Sequence, residues 1–277
     1  MVSLTEIADI LPEPARLARA DARELASGLT AVEVRYLVDL YYQIQNYRTS
    51  AAQQGRAALV AGEPHRAVSW VFDQMIVTEE TIRRIMDAWG DLFRPGRWAK
   101  SQVGIGPVLA AGCLATFDAS KPTVGSWWRF AGLDPTLEWR KGEKRPYSAS
   151  AKVLAWKIAD SFVKQSGREH AIYGRWYRER KAYELNRDAA GGTAEAAAAS
   201  LTARRIRDKA TIARYESGHL PDGRLDLRAR RWTAKLFLAH LHWVAYEDAH
   251  GTPPPRPYAI DILKHANLIA PPGWPCD

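Results

Sequence analysis

Residues 103–117 read VGIGPVLAAGCLATF. Gly104 and Gly106 flank Ile105, Pro107 follows at once, and small apolar residues continue the run. This order predicts a tight turn leading into a helix. Glycine at 104 and 106 permits positive φ and a close approach of the backbone to a ligand. Pro107 suits the first helical position, where its missing N–H would have no intrahelical acceptor. Amides of the turn and of the helix start then converge on one spot, which suits an anion such as a phosphate. The same pattern also suits a plain turn between two packed helices.

Outward from this stretch the periodicity is helical almost throughout. Thr30 and Glu33 have capping-box spacing and open a helix over 31–61, apolar at Val34, Leu37, Val38, Tyr41, Tyr42 and Ile44. Gly62 ends it. Pro64 opens a second helix over 65–93, with Val68, Val71, Phe72, Met75, Ile76, Ile82, Ile85, Met86 and Trp89 inward. A short helix is expected over 14–26. Arg94-Pro95-Gly96 breaks the pattern and divides the chain into residues 1–96 and 97–277. Further helices are expected near 97–103, from Pro107, over 127–132, from Ser148 to about 165, over 168–188, from 194 and over 225–249. Residues 136–147 read as an ordered polar loop. The fold class is therefore all-α. An N-terminal long helical hairpin precedes a helical domain that contains a helix-hairpin-helix, a module that holds nucleic-acid backbones through amides.

The net charge of +8 is unevenly spread. Residues 1–96 hold 10 Lys/Arg against 13 Asp/Glu, whereas residues 97–277 hold 29 against 18. A strongly basic part beside a slightly acidic one points to a polyanion partner for the basic part. With 47% hydrophobic residues the chain can bury a core. No apolar run has membrane-spanning length, and the N-terminus lacks the pattern of a signal peptide. Two cysteines, Cys113 and Cys276, do not make a disulfide framework, so a cytoplasmic setting is expected. Tyr36, Tyr41, Tyr42, Trp70 and Phe72 exceed what one two-helix contact buries, so residues 31–93 are expected to self-associate.

The basic loop Arg140, Lys141, Lys144 and Arg145 lies between Trp139 and Tyr147. Cations interleaved with aromatics suit a phosphate backbone and a stacked base, and they also occur on solvated loops. Arg204, Arg205, Arg207 and Lys209 form a second basic cluster, and Arg224, Arg228, Arg230 and Arg231 a third. Trp98 and Trp139 stand beside basic residues and are the candidate surface tryptophans. The candidate nucleic-acid contacts are Lys100, Gly104, Ile105, Gly106, Val108, Arg140, Lys141, Lys144, Arg145 and Lys152. Ser148 and Ser150 open a helix after the basic loop. Either hydroxyl there can act as a helix cap or, flanked by Arg145 and Lys152, as a nucleophile toward a phosphodiester. Asp118, Asp134 and Asp160 have no spacing that brings them to one cleft, and His240 and His242 point to different sides of a helix, so no metal site is assigned.

Taken in order, GIGPVLAAGCLATFD (104–118), WWRFAGLDP (127–135), KGEKRP (141–146), SASAKVL (148–154), the Tyr173, Tyr177, Lys181 spacing and RRWTAKLFLAHLHW (230–243) resemble a family. It is the C-terminal domain of insertion-sequence transposases of the IS-one-ten type, over about residues 97–250. The resemblance implies a DNA-binding helical domain with a serine nucleophile, at Ser148 or Ser150 here, guided by structured RNA. The family's second domain, RuvC-like and bearing metal-binding carboxylates, has no counterpart in 1–96. The Gly-Asn pair that follows the family's serine is also missing. The reading that results is a DNA-binding, transposase-like protein that needs no cofactor. The alternatives are a serine recombinase using magnesium, and an RNA-binding or structural interaction protein.

Overall fold

The computed structural model describes residues 16–62, 66–140, 142–203, 206–256 and 268–275, and among these it contains eleven helices and no strand. No helix among the described residues is long and apolar enough to cross a membrane. The chain forms two compact units. One comprises Met1–Gly96 and Ala110–Thr116, the other Arg97–Leu109 and Phe117–Asp277. Residues 110–116, read in the sequence as part of the second domain, thus belong to the first. Arg35 donates a hydrogen bond to the Ala115 carbonyl, and Leu114 lies against Gly96. Cys113 is fully buried, which pushes its thiol well above the usual range.

In the first unit, α1 (Arg19–Ser27), α2 (Ala31–Val60) and α3 (Arg66–Asp91) build a small core. The Thr30 hydroxyl accepts from the Glu33 amide at 3.3 Å, and the Glu33 carboxylate accepts from the Thr30 amide at 2.8 Å. This reciprocal cap satisfies two amides that the helix start leaves without acceptors. α2 runs antiparallel to α3, and Arg48 pairs with Glu79 across them. Ala22, Ala26, Val34, Val38, Ile82, Met86 and Trp89 are buried, and the Trp89 indole donates to the Leu29 carbonyl at 3.2 Å. Two expectations fail here. The described part of the first helix begins at Arg19, not at 14, and residues 14–15 lie outside the described set, as does Pro64. Val68, Val71, Phe72, Met75 and Ile76 are not buried, because the nine-residue α1 is too short to reach them.

Arg94-Pro95-Gly96 opens a helix, α4 (Arg94–Ser101), where a break was expected. Pro95 falls in the first turn, where a lost N–H costs no bond. Gly96 is required sterically, since a Cβ there would stand 2.1 Å from the Gly90 carbonyl oxygen. α5 (Pro107–Thr116) follows.

The second unit continues with α6 (Val124–Phe130), α7 (Ala149–Lys164), α8 (Ile172–Ala189), α9 (Ala194–Ala203), α10 (Lys209–Glu216) and α11 (Asp222–His250). α11 is its axis, with α6, α7 and α8 packed on it. The centre is aromatic. Phe162 stacks on Tyr173 at 4.6 Å between ring centroids, and Phe237 meets Phe162, Tyr173 and Trp98. α10 was not foreseen. It opens on Asp208, whose carboxylate accepts from the Thr211 amide at 2.8 Å, and it buries Tyr215 beside Ala197, Leu220 and Leu225. Its eight residues are too few for a clear apolar period.

Two of the three histidines of α11, His240 and His242, are buried, whereas His250 is exposed. His240 Nε2 donates to the Ile269 carbonyl at 2.9 Å, so Nδ1 accepts from the Tyr173 hydroxyl at 2.6 Å. Burial pulls the imidazole down to about 4, against the carbonyl's opposing effect. The unfolded chain takes up this proton near pH 6.5 and the folded chain only near 4. Stability is therefore present above about pH 6.5 and is lost as pH falls toward 4, by about 2–3 kcal/mol. Urea unfolding at pH 7 and 4.5 checks this. His240→Asn is expected to flatten the dependence, and an unchanged pH slope in the variant contradicts the assignment.

Candidate functional site

The turn at 102–106 joins α4 to α5. Gly104 has φ of 109°, and its carbonyl accepts from the Ser161 hydroxyl. Its α-carbon faces the Phe162 ring so closely that a Cβ would come within 2.9 Å. The first-turn amides of Val108 and Leu109 have no acceptor within α5. The remaining expectations for this turn need correction. Gly106 does not adopt positive φ, and a Cβ there would meet open space. The Ile105 amide is spent on the Gln102 carbonyl at 2.9 Å. The Ile105 and Val108 side chains are buried, because the turn presses its apolar residues into the core. Lys100 is half-buried on α4. Trp98 is core as well. It is 1% exposed, stacks on Phe237, and its indole donates to the Pro272 carbonyl at 2.9 Å.

A second group of residues is organised around the C-terminal end of α6. The Leu133 amide donates to the Trp128 carbonyl, and the Ser148 amide donates to the Phe130 carbonyl, each at 2.8 Å. These bonds pin both ends of the 134–147 loop to one place. Gly132, at φ of 60°, lets the Tyr147 ring lie against the backbone, and Lys152 Nζ stands 4.4 Å from that ring's centre. Within the loop, the exposed Trp139 donates to the Glu143 carbonyl at 2.9 Å, and the Arg145 guanidinium lies 5.6 Å from its ring. Arg140, Lys144 and Arg145 all face solvent. Lys141 lies outside the described residues, as do Arg204 and Arg205.

The third group lies on α11. Arg224, Arg228, Arg231 and Lys235 follow one another at intervals of four, three and four residues, which places them on one helix face. Lys235 Nζ stands 4.1 Å over the Trp128 ring, and the Trp128 indole donates to the Lys235 carbonyl at 3.0 Å. The stripe thus ends against α6, beside the pinned loop. Arg228 reaches Glu184 at 3.5 Å, whereas Arg224 and Arg231 have no carboxylate partner among the described residues. Desolvation by the surrounding protein lowers the Arg231 guanidinium, and the like charges of Arg224 and Arg228 lower it further. Desolvation also lowers Lys235, against the opposing carboxylate of Asp134 and with a smaller contribution from the like charge of Arg231. Asp134, beside it, is held ionised first by its hydrogen bonds from Thr136, then by Arg129 and Lys235. This face has more positive charge than its own carboxylates neutralise.

Sequence reasoning grouped Arg230 with this stripe, but Arg230 turns the other way. It pairs with Asp226 at 2.6 Å and Asp160 at 2.9 Å. Two further cations belong here: Lys235, on the same face of α11, and Arg129, which stands on α6 and joins the group through the contact of α6 with α11. The 3.6-residue period of α11, applied to cations instead of apolar residues, is the signal that would have found Lys235.

Ser148 is the N-cap of α7. Its hydroxyl accepts from the Ala151 amide at 3.2 Å and lies 3.0 Å from the Ser150 hydroxyl. Among the described residues neither hydroxyl hydrogen-bonds a histidine or a carboxylate. No group of three metal-ligating side chains exists among them either. Asp118, Asp134 and Asp160 are each engaged locally, by Ser120, Thr136 and Lys164. Ser148→Ala is expected to cost about 1 kcal/mol in urea unfolding, with DNA affinity unchanged. A large loss of affinity in the folded variant contradicts a pure capping role. Set against known protein families, characterised proteins and solved structures, the chain matches none.

Proposed function

We propose that the second unit binds DNA through its phosphate backbone, largely without reading bases. The observation that carries this reading is the α11 stripe, four cations on one face of which Arg224 and Arg231 have no carboxylate partner among the described residues. Unneutralised cations crowded together gain most from a ligand that brings several negative charges at once. The pinned loop adds Arg140, Lys144 and Arg145, and its exposed Trp139 offers a stacking surface. The Gly104 turn and the start of α5 supply a helix-hairpin-helix grip through the Val108 and Leu109 amides, in keeping with the resemblance to transposase C-terminal domains. Ser148 serves this unit as a cap, so the function proposed is binding and not strand cleavage.

The test is a titration of the full chain with a 30-base-pair duplex, a single strand of equal length and a structured RNA at rising salt. Duplex affinity is expected to fall steeply with salt, because each phosphate contact releases counterions. Salt-independent binding overturns the phosphate reading, and preference for the RNA overturns DNA as the ligand.

A further inference from the structure

Along α2 and α3 the last buried residue before the connection is Val38 and the first after it is Ile82. Among the described residues from 39 to 81 none is buried. This half of the pair is nevertheless apolar. Val60 is 90% exposed, Leu59 and Tyr47 almost 70%, and Val68, Val71 and Ile76 about 40%. α1 supplies a third helix only at the other end. A groove of about 620 Å³ runs here between the two helices, lined by Ala51, Ala52, Gly55, Ala58, Val68 and Phe72. Soluble surfaces rarely expose so continuous an apolar strip without a use for it.

The groove also carries charge of both signs. Arg56, on α2, and Asp73, on α3, both line it, and neither forms an ion pair among the described residues. Among the described residues the Arg56 guanidinium donates to the Ala52 carbonyl of its own helix. A two-fold axis places the same patch against itself, so that a residue on one wall meets the other wall of the second copy. An apolar groove with one cation on the α2 side and one anion on the α3 side is complementary to itself under that operation. Two helices from each copy complete the four-helix arrangement that a lone pair cannot provide. Small residues on α2 permit the close approach that bulky Phe72 and Leu59 of the other copy require.

We propose that this half of the α2–α3 pair is a homodimer interface, in which a second copy of the chain seats in the groove and Arg56 of each copy faces Asp73 of the other. The inference rests on the groove alone and is independent of the DNA reading. The test is sedimentation equilibrium of the nuclease-treated full chain at 1–50 µM in 0.3 M salt. The expected mass is twice the 31.0 kDa of one chain. Arg56→Asp and Asp73→Arg are each expected to weaken the dimer at least tenfold. Mixing these two single variants is expected to restore it, since every cross-copy pair then has opposite signs. A monomer at 50 µM overturns the proposal, and so does a dimer that neither substitution weakens or that mixing fails to restore. A monomer that co-sediments with phosphatidylcholine vesicles overturns it too, and assigns the groove to a lipid surface.

Discussion

Replacing Arg224 and Arg231 together by glutamine is expected to weaken duplex DNA binding about 50-fold at 0.1 M salt. Each phosphate contact scales as roughly the 0.9 power of the salt ratio, so one contact is worth about eightfold between 1 M and 0.1 M and two are worth about 60-fold. Glutamine keeps much of the arginine stem and removes only the charge, which separates the electrostatic effect from packing. The fold should not suffer, because neither arginine has a carboxylate to lose among the described residues. Removing crowded like charge should stabilise the unit slightly if anything. Arg230→Gln is the contrast. It abandons Asp226 and Asp160 and should act on stability first. Fluorescence anisotropy on both variants decides the matter. Loss of affinity with Arg230→Gln but not with the double variant would place the interface elsewhere.

Gly104→Val is expected to destabilise the second unit by about 3 kcal/mol, whereas Gly106→Val should cost less than about 0.5 kcal/mol. At 104 the backbone holds φ of 109°, and a β-branched residue there is strained by about 1–3 kcal/mol. The new Cβ would in addition stand 2.9 Å from the Phe162 ring, and that ring is locked between Tyr173 and Phe237. Overpacking of this kind adds about 1–3 kcal/mol. At 106 neither condition applies, since the φ is ordinary and no atom lies within 4 Å. The two glycines look alike in the sequence and differ wholly in the fold. Equal urea midpoints for the two variants would show that the turn is not held by the Phe162 contact.

What was legible in the sequence was local chemistry. The Thr30 and Glu33 box, the Ser148 cap and the existence of the long helices α2, α3, α7 and α11 depend on residues within a turn or two of one another, and each of these is present, with helix ends shifted by up to three residues. What was not legible depends on the neighbours that tertiary structure supplies. Periodicity marks Val68 and Phe72 as apolar but cannot say that the third helix stops short of them. Trp98 beside two cations looked like a surface residue, yet it is roofed by the C-terminal segment around Pro272, 174 residues away. Gly106 was read as a second flexible glycine, and only its surroundings show that one glycine suffices. Arg230 and Arg231 are adjacent in sequence and point to opposite fates, one into an ion-pair network and one onto the like-charged stripe. For the candidate site, the loop cations could be named from composition. The α11 stripe could not be sorted into paired and unpaired cations until Glu184, Asp226 and Asp160 were placed.

The central claim is that the α11 stripe holds phosphates directly. The measurement that tests it most directly is the salt dependence of duplex binding in the wild-type chain and in the Arg224→Gln, Arg231→Gln double variant, from 0.05 to 0.3 M salt. Direct contacts make the slope of log affinity against log salt shallower by about 0.9 for each phosphate lost, so the double variant is expected to be shallower by about 1.8. Parallel lines in the two proteins would contradict the claim, because the stripe would then not be where the backbone binds.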